Sequence, residues 1–469
     1  MKAGFFETDI TPSIGMERPA TYYKIYVQKI NDPLKVRAAV VTDGKQTFAF
    51  AGVDICYLGD NIKERVRSAL PEMKIMLSAS HTHYGGPMGR SKLPADFPEL
   101  PGRLMMEESV CGNPGYTDHL VGQIVTAIRM AEKNLEEVEL SFGRGNAEGV
   151  TFNRGFKMKN GHRATHPGKG NPDIVAPFSP IDTEVGVVGF WRKDNGAFLG
   201  CMVSFNCHGT CDGTGATADW PGQMVRTVKA VMGPECGVVY IYGCAGDITQ
   251  IDNLSLRLLE TGPESSRVVG VTVGAEVLKV LMRAEKGEID RLEYTAEHIM
   301  LGRRHPSAES LKNALEIVAR PERDTAFHFA KERIIADALY RISPKIDFEI
   351  QLFQLGPLVI AAMPGELFCA IGMEIKKRSK FPFTWVSSLA NDLSCGYIPT
   401  ADVLDPVTGG GYESRLTSGT CTVPEAAAEI VEKASAMIAA FSPESVPEGP
   451  RVEPSRKVWS YGCNLPELE

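Results

Sequence analysis

Ser78-Ala79-Ser80-His81-Thr82-His83-Tyr84-Gly85-Gly86-Pro87 is the stretch from which the fold and chemistry of this 469-residue chain are best approached. It follows the apolar run Ile75-Met76-Leu77, which predicts a strand that ends where the glycines and the proline turn the chain. Two histidines one residue apart face the same side of an extended segment, and neutral imidazole is a common metal ligand. Two hydrogen-bonded histidines in a polar loop would give the same pattern, so this motif alone leaves metal binding open.

Two further apolar runs also end at a residue that can bind a metal ion. Leu199–Phe205 leads to His208, and Leu358–Met363 leads to Glu366. Functional sites gather at the carboxyl ends of strands, because rigid strands hold the converging loops in place. Two histidines and a carboxylate are a typical ligand set for catalytic zinc. Each of these two residues also has a simpler explanation. A capped histidine in a turn would explain His208, and a helix with an acidic first turn would explain Glu366. The agreement of three contexts nevertheless predicts a metal site that includes His81.

Strands and helices alternate along the whole chain, which predicts a mixed α/β (α+β) fold. We expect multi-layer sheets with flanking helices and the metal site at the strand carboxyl ends. The pattern predicts one catalytic domain over residues 1–442, with a helical insertion at about 305–342, and a C-terminal tail at 443–469. The stretches 85–116 and 155–182 show little periodicity and predict two long loops, which in compact domains are often functional.

Composition excludes several classes of protein. The net charge is -8, the pI is about 5.7 and the charges are interspersed, so no basic face for nucleic acid is expected. No apolar stretch is long enough to span a membrane, and the N-terminus lacks a secretory signal pattern. The eleven cysteines include no Cys-x-x-Cys pair, which favours free thiols in a reducing cytoplasm. The sequence is compatible with a homo-oligomer.

Several short blocks, spread from the N-terminus to about residue 430, resemble the neutral/alkaline ceramidase family. Each block is a weak signal, but their order along the chain is specific. In order, they are Asp9-Ile10-Thr11-Pro12, Ser80-His81-Thr82-His83, Phe152-Asn153-Arg154, His208-Gly209-Thr210, Gly246-Asp247-Ile248-Thr249, Gly365-Glu366-Leu367, and Tyr397 and Thr400 with Gly411-Tyr412-Glu413-Ser414.

The resemblance implies a zinc-dependent hydrolase that cleaves a C–N amide bond. In this interpretation His83 handles protons, and Arg154 and Tyr412 donate hydrogen bonds to the reacting carbonyl. Tyr397 is either a ligand or a wall residue hydrogen-bonded to a metal-bound water, because a phenol normally titrates near 10. The implied zinc ligands are His81, His208, Glu366 and Tyr397.

The differences between this sequence and the ceramidase family bear on the identity of the substrate more than on the reaction. Members that act on lipids are usually longer, with a C-terminal β-sandwich, and an insert around 405–409 stretches the spacing between the two tyrosines here. The substrate could therefore be a small or cyclic amide or an N-acyl lipid. A zinc-dependent esterase or lactonase and a non-catalytic binding protein of the same fold are the alternatives. Asp54 and Asp247 follow apolar strands and could orient a zinc-bound histidine, or could cap strand ends.

Overall fold

A computed structural model describes residues 1–59, 61–90, 92–258, 261–393, 395–462 and 465–467. Over these residues the chain forms two large β-sheets packed face to face, with helices on the outer face of each. The core between the sheets contains Phe50 and Met202 from the larger sheet and Phe353 and Ile360 from the smaller one. A further core lies between each sheet and the helices on its outer face. The mixed α/β architecture with flanking helices that the sequence predicts is therefore confirmed.

Twenty strands occur in the described residues. They are β1 (Lys2–Asp9), β2 (Lys35–Thr42), β3 (Thr47–Val53), β4 (Lys74–Ala79), β5 (Glu136–Asn146), β6 (Phe152–Asn153), β7 (Gly155–Met158), β8 (Arg163–Thr165), β9 (Ile174–Pro177), β10 (Glu184–Arg192), β11 (Phe198–Phe205), β12 (Gly237–Tyr242), β13 (Ile248–Thr249), β14 (Lys286–Gly287), β15 (Leu292–Gly302), β16 (Lys345–Leu355), β17 (Leu358–Ala362), β18 (Glu366–Leu367), β19 (Phe383–Ser387) and β20 (Tyr397–Ile398).

The same residues form nine α-helices and two short 3-10 turns, at Ala401–Leu404 and Tyr412–Ser414. The helices are α1 (Ile62–Ala69), α2 (Glu99–Glu107), α3 (Pro114–Lys133), α4 (Asp219–Met232), α5 (Pro263–Arg283), α6 (Ala308–Val318), α7 (Thr325–Ile342), α8 (Cys369–Arg378) and α9 (Ala426–Ala440).

The larger sheet has the order β12-β11-β10-β5-β1-β2-β3-β4, with β14 beside β5. Its neighbours are antiparallel except for the parallel pairs β3–β4 and β11–β12 at its two ends. The smaller sheet has the order β15-β16-β17-β19. Strand β17 contributes to two of these cores. Leu358 and Ile360 face the larger sheet, whereas Val359 and Ala361 face the outer helices. A strand that is apolar on both faces can only lie in a buried layer.

Hydrogen bonds at the carboxyl end of β4 connect this strand to β12 within the larger sheet and to the smaller sheet. The Tyr242 N–H, at the end of β12, donates to the Ser78 hydroxyl over 3.0 Å. The Asn391 N–H, just after β19, donates to the Leu77 carbonyl over 2.8 Å, and the Leu77 N–H donates back to the Asn391 side chain over 3.0 Å. The ends of strands from both sheets are therefore held together where the His-x-His motif begins.

Several local predictions need correction. The stretch 85–116 contains helix α2, and 155–182 contains the small three-stranded sheet β8-β7-β9 rather than loop alone. The helix predicted from Glu366 starts at Cys369, because Glu366 pairs with Tyr397 in the β18–β20 ladder. Strand β15 had no sequence signal, because most of its side chains are partly or fully exposed and show no apolar alternation.

The helices predicted within 305–342 are present, and the predicted domain bounds stay untested. The helical segment 305–342 contains α6 and α7, while the single domain over 1–442 and the tail over 443–469 stay predictions. In the described parts of the chain, every helix is too short or too polar to cross a lipid bilayer.

Candidate metal centre

The two histidine-bearing loops are locked together by a close backbone approach. His81 has a φ of 61°, a left-handed conformation that a non-glycine residue adopts only where its surroundings hold it. Gly209 lies so near that a Cβ there would be 2.5 Å from the His81 carbonyl oxygen. The His83 N–H donates to the Gly209 carbonyl over 2.9 Å. The glycine after His208 is thus what lets the two loops meet.

Backbone carbonyls fix the direction of both buried imidazoles. The Nδ1 atom of His81 lies 2.8 Å from the Cys56 carbonyl, and the Nδ1 atom of His208 lies 3.0 Å from the Ile248 carbonyl. A carbonyl can only accept, so each Nδ1 carries the proton and each Nε2 presents a lone pair. This is the tautomer that a metal-binding histidine needs.

The two lone pairs converge on the Glu366 carboxylate. Glu366 Oε2 lies 3.3 Å from His81 Nε2 and 3.6 Å from His208 Nε2. Within the described part of the chain, this buried oxygen has no hydrogen-bond partner. Metal–ligand bonds of 2.0–2.2 Å in a tetrahedron place ligand atoms about 3.4 Å apart, which matches these separations. The donor set and the orphaned oxygen therefore fit a zinc ion.

Tyr397 and His83 flank the three converging atoms. Tyr397 Oη lies 3.4 Å from His208 Nε2, because the β18–β20 ladder places Tyr397 directly beside Glu366. His83 Nε2 lies 3.3 Å from His81 Nε2. Cys56 with His81 and His83 forms a second conceivable ligand group. Its thiol faces the Nδ1 side of His81, which the Cys56 carbonyl already engages, so the Glu366 group fits a metal better.

Arg154 is held beside His208 by a buried carboxylate. Its Nε donates to Glu413 over 2.6 Å, and its Nη2 donates to the Gly246 carbonyl over 2.7 Å. Nη1 then lies 3.4 Å from His208 Nε2. Arg163 and Thr165 donate to the other Glu413 oxygen over 2.8 and 2.6 Å. Glu413 therefore orients the guanidinium that faces the candidate metal ligands.

Tyr412 completes the wall opposite the histidines. Its ring centroid lies 5.7 Å from that of Tyr397, and the Arg154 guanidinium lies 5.9 Å from its ring centre. Its hydroxyl lies 2.8 Å from the Tyr22 hydroxyl. The structure thus brings together all the residues that the sequence singled out, which are His81, His83, Arg154, His208, Glu366, Tyr397 and Tyr412.

The electrostatics of the site distinguish the three histidines. Burial lowers the pKa of His81, but the Glu366 carboxylate and Cys56 together outweigh burial and raise that pKa to about 10. Burial and the positive charges of His81 and Arg154 hold the pKa of His83 well below its usual value, and burial with Arg154 does the same to His208. His83 is therefore neutral at neutral pH.

Comparison with solved structures gives two closely similar neighbours. Neutral ceramidase from Pseudomonas aeruginosa matches with a TM-score of 0.68 over 95% of this chain and 76% of that one, at 17% identity. A ceramidase complexed with C2 matches with a TM-score of 0.68 over 96% of this chain and 77% of that one, at 16% identity. The chain has the neutral ceramidase fold. No protein-family model and no curated protein sequence matches it.

Asp54 and Asp247 do not orient the histidines of this candidate site. The Asp54 carboxylate accepts from Arg37 over 2.7 Å. The Asp247 carboxylate accepts from the Asn153 side chain over 2.6 Å and from the Cys369 N–H over 2.8 Å. The hypothesis that these carboxylates bond the second imidazole nitrogens is wrong, since backbone carbonyls fill that role. Asp247 instead joins the Arg154 segment to the start of α8.

A cavity of about 220 Å³ lies over the candidate ligands of the ceramidase-like fold. His83 and Tyr412 line it together with Tyr22 and Glu332, which sequence reasoning missed. Tyr22 lies in an irregular N-terminal segment without periodicity, and Glu332 lies on the predicted helical insertion. Glu413 was also missed, although it adjoins Tyr412 in one of the recognised blocks. The position of Glu413 next to the catalytic candidate Tyr412 was the sequence signal that could have identified it.

Proposed function

We propose that this protein is a zinc-dependent amidohydrolase that cleaves the C–N bond of an amide other than a peptide. The observation that carries the proposal is the convergence of His81 Nε2, His208 Nε2 and the unpartnered Glu366 Oε2 at one end of a cavity. Similarity to solved ceramidases adds support, because their name describes hydrolysis of the amide of ceramide. Tyr397 is the proposed fourth residue of the zinc site.

Zinc bound by these residues would supply a water of pKa near 7 and a Lewis acid for the amide carbonyl. His83 is the proposed proton carrier. Its Nε2 lies beside His81, and its lowered pKa keeps the ring neutral and able to accept a proton at neutral pH. The imidazolium so formed can protonate the leaving amine, as hydrolysis of an amide requires.

Arg154 and Tyr412 are the proposed donors to the carbonyl oxygen as negative charge develops on it. The guanidinium is preoriented by Glu413 and the Gly246 carbonyl, so no reorganisation is needed during the reaction. Burial raises the pKa of Tyr412 to about 12, which keeps its hydroxyl protonated and able to donate. A compartment with a reducing environment, the cytoplasm, is proposed because the ten cysteines in the described residues are all unpaired.

Metal analysis with two matched histidine variants tests the proposal. Purified protein should contain about one equivalent of zinc. His81→Ala should lose both zinc and turnover of an amide substrate, whereas His83→Ala should keep zinc and lose turnover by at least about 100-fold. Less than half an equivalent of any transition metal, with stability unchanged by chelation, would contradict the metal site. Full activity of His83→Ala would contradict its role as proton carrier.

A further inference from the structure

The cavity over the candidate ligands adjoins a larger one of about 640 Å³, here called the outer chamber. Glu332, Gly396 and Ser418 line both. A substrate whose scissile amide lies at His81 and Glu366 would therefore extend past these residues into the outer chamber. The side chains of that chamber decide what the remainder of the substrate can be.

Arg303 lines the outer chamber and forms no salt bridge among the residues that the structure describes. It follows directly on β15, and its Nη1 donates only to the Cys421 sulfur over 3.1 Å, which is a weak acceptor. Its Nε is buried and has no hydrogen-bond partner in the part of the chain that the structure describes. A partly buried guanidinium with unused donors favours a carboxylate or phosphate, which it can bind through two parallel hydrogen bonds.

Two other charged groups that line the outer chamber are compensated by neighbouring protein groups. Lys63 lies 3.5 Å from Glu64 and 3.7 Å from Glu349. The buried Glu332 accepts hydrogen bonds from the Ser418 hydroxyl and N–H. Arg303 differs from both, because its buried Nε has no hydrogen-bond partner among the described residues.

The same chamber also has an apolar wall. Ile335 and Leu339 lie one helical turn apart on α7, and Met105 comes from α2. Such a wall suits a hydrocarbon segment, since apolar contact is gained there without burying an ion. The chamber thus offers one anchoring charge and one apolar surface.

We propose that the substrate is an N-acyl amide that carries an anionic group, a carboxylate or a phosphate, bound by Arg303. The hydrocarbon part lies along the wall formed by Ile335, Leu339 and Met105. This inference rests on the proposed amidohydrolase function and deepens it, because it names Arg303 as the residue that determines specificity.

Matched substrate pairs that differ only in the anion test this inference with zinc-loaded protein. N-octanoylalanine is compared with N-isopropyloctanamide, N-octyl succinamate with N-octylbutanamide, and N-octanoyl-phosphoethanolamine with N-octanoylethanolamine. In at least one pair, kcat/KM should favour the anion by about 10- to 150-fold, the range of a charge-assisted hydrogen bond. The pairs also distinguish a carboxylate from a phosphate, and an anion on the amine side from one on the acyl side.

Arg303→Gln should abolish this preference through KM and leave the neutral partner unaffected. Arg320→Gln, at an exposed position on the loop after α6, is the matched control and should retain the preference. Zinc content and the unfolding midpoint show whether each variant is folded. If Arg303→Gln does not fold, Arg303→Lys should show a reduced but measurable preference, because it keeps the charge and loses the two-pronged geometry.

Binding measurements separate failure of the inference from failure of the amidohydrolase proposal. Zinc-loaded His83→Ala is titrated calorimetrically with each pair, so the affinity ratio is obtained without turnover. An affinity ratio above tenfold that Arg303→Gln removes supports the inference, whether or not the amide is cleaved. If no amide is cleaved, that result overturns only the amidohydrolase proposal. Equal affinity within every pair, or hydrolysis of the neutral amides alone, would overturn the inference and leave the amidohydrolase standing.

Discussion

Glu413 offers the sharpest test of how the site is built. It is fully buried and accepts hydrogen bonds from Arg154, Arg163 and Thr165. Replacing it with glutamine keeps the shape and removes the charge that compensates two buried guanidinium groups. Breaking a buried ion pair from one side costs about 3–5 kcal/mol.

The pKa of Glu413 gives an independent magnitude. Burial alone would raise this pKa, but Arg154 and Arg163 lower it from 4.5 to about 2. Each pKa unit corresponds to about 1.4 kcal/mol, so the ionised carboxylate contributes roughly 3 kcal/mol. Because the folded pKa is depressed, this contribution is fully present above pH 4.5 and is lost as the pH falls towards 2.

We therefore expect Glu413→Gln to lower the free energy of unfolding by about 3 kcal/mol at pH 7. The difference from the unmodified protein should shrink steadily between pH 4.5 and 2. Denaturant unfolding of metal-free protein measures it without interference from zinc loss, and Glu429→Gln, exposed on α9, is the control. A difference below 1 kcal/mol at pH 7, or one independent of pH down to 2, would refute this account of the pair.

Two further predictions concern the ligand loops. Gly209→Ala should lower the free energy of unfolding by about 1–3 kcal/mol and weaken zinc binding, because the new methyl group meets the His81 carbonyl. Gly122→Ala on α3, where nothing lies within 4 Å, should leave zinc binding unchanged and raise stability by about 0.5–1 kcal/mol, because alanine is the better helix former. A Gly209→Ala protein with normal zinc affinity would contradict the close approach. Tyr397→Phe should lower zinc affinity about 10- to 100-fold without changing the fold, measured by competition with a chelator against the exposed control Tyr461→Phe. Unchanged affinity would assign Tyr397 to the cavity wall.

The candidate metal ligands were predictable because each follows an apolar strand, a local signal that the structure preserves. His81, His208 and Glu366 come from strands of both sheets, so their neighbours in sequence sufficed to find them. Glu413 could not be found in this way, because its partner Arg154 is 259 residues away and no periodicity links the two. Strands β7 to β9 escaped for a related reason, since segments of three or four residues are too short to show alternation.

The residues proposed for chemistry and for specificity lie on different parts of the chain. The candidate ligands stand at strand ends in the junction of the two sheets, whereas Arg303 and Glu332 come from the end of β15 and from α7. On α7, the chamber-lining Ile335 and Leu339 have the spacing of an ordinary core stripe. Sequence blocks can therefore indicate the reaction without indicating the substrate. The substrate-facing helix gives no separate signal, because an apolar helix face has the same pattern whether it covers a core or a ligand. Arg303 distinguishes the two cases, since a cation without a counter-ion among the described residues supports the proposal that the chamber binds an anionic ligand.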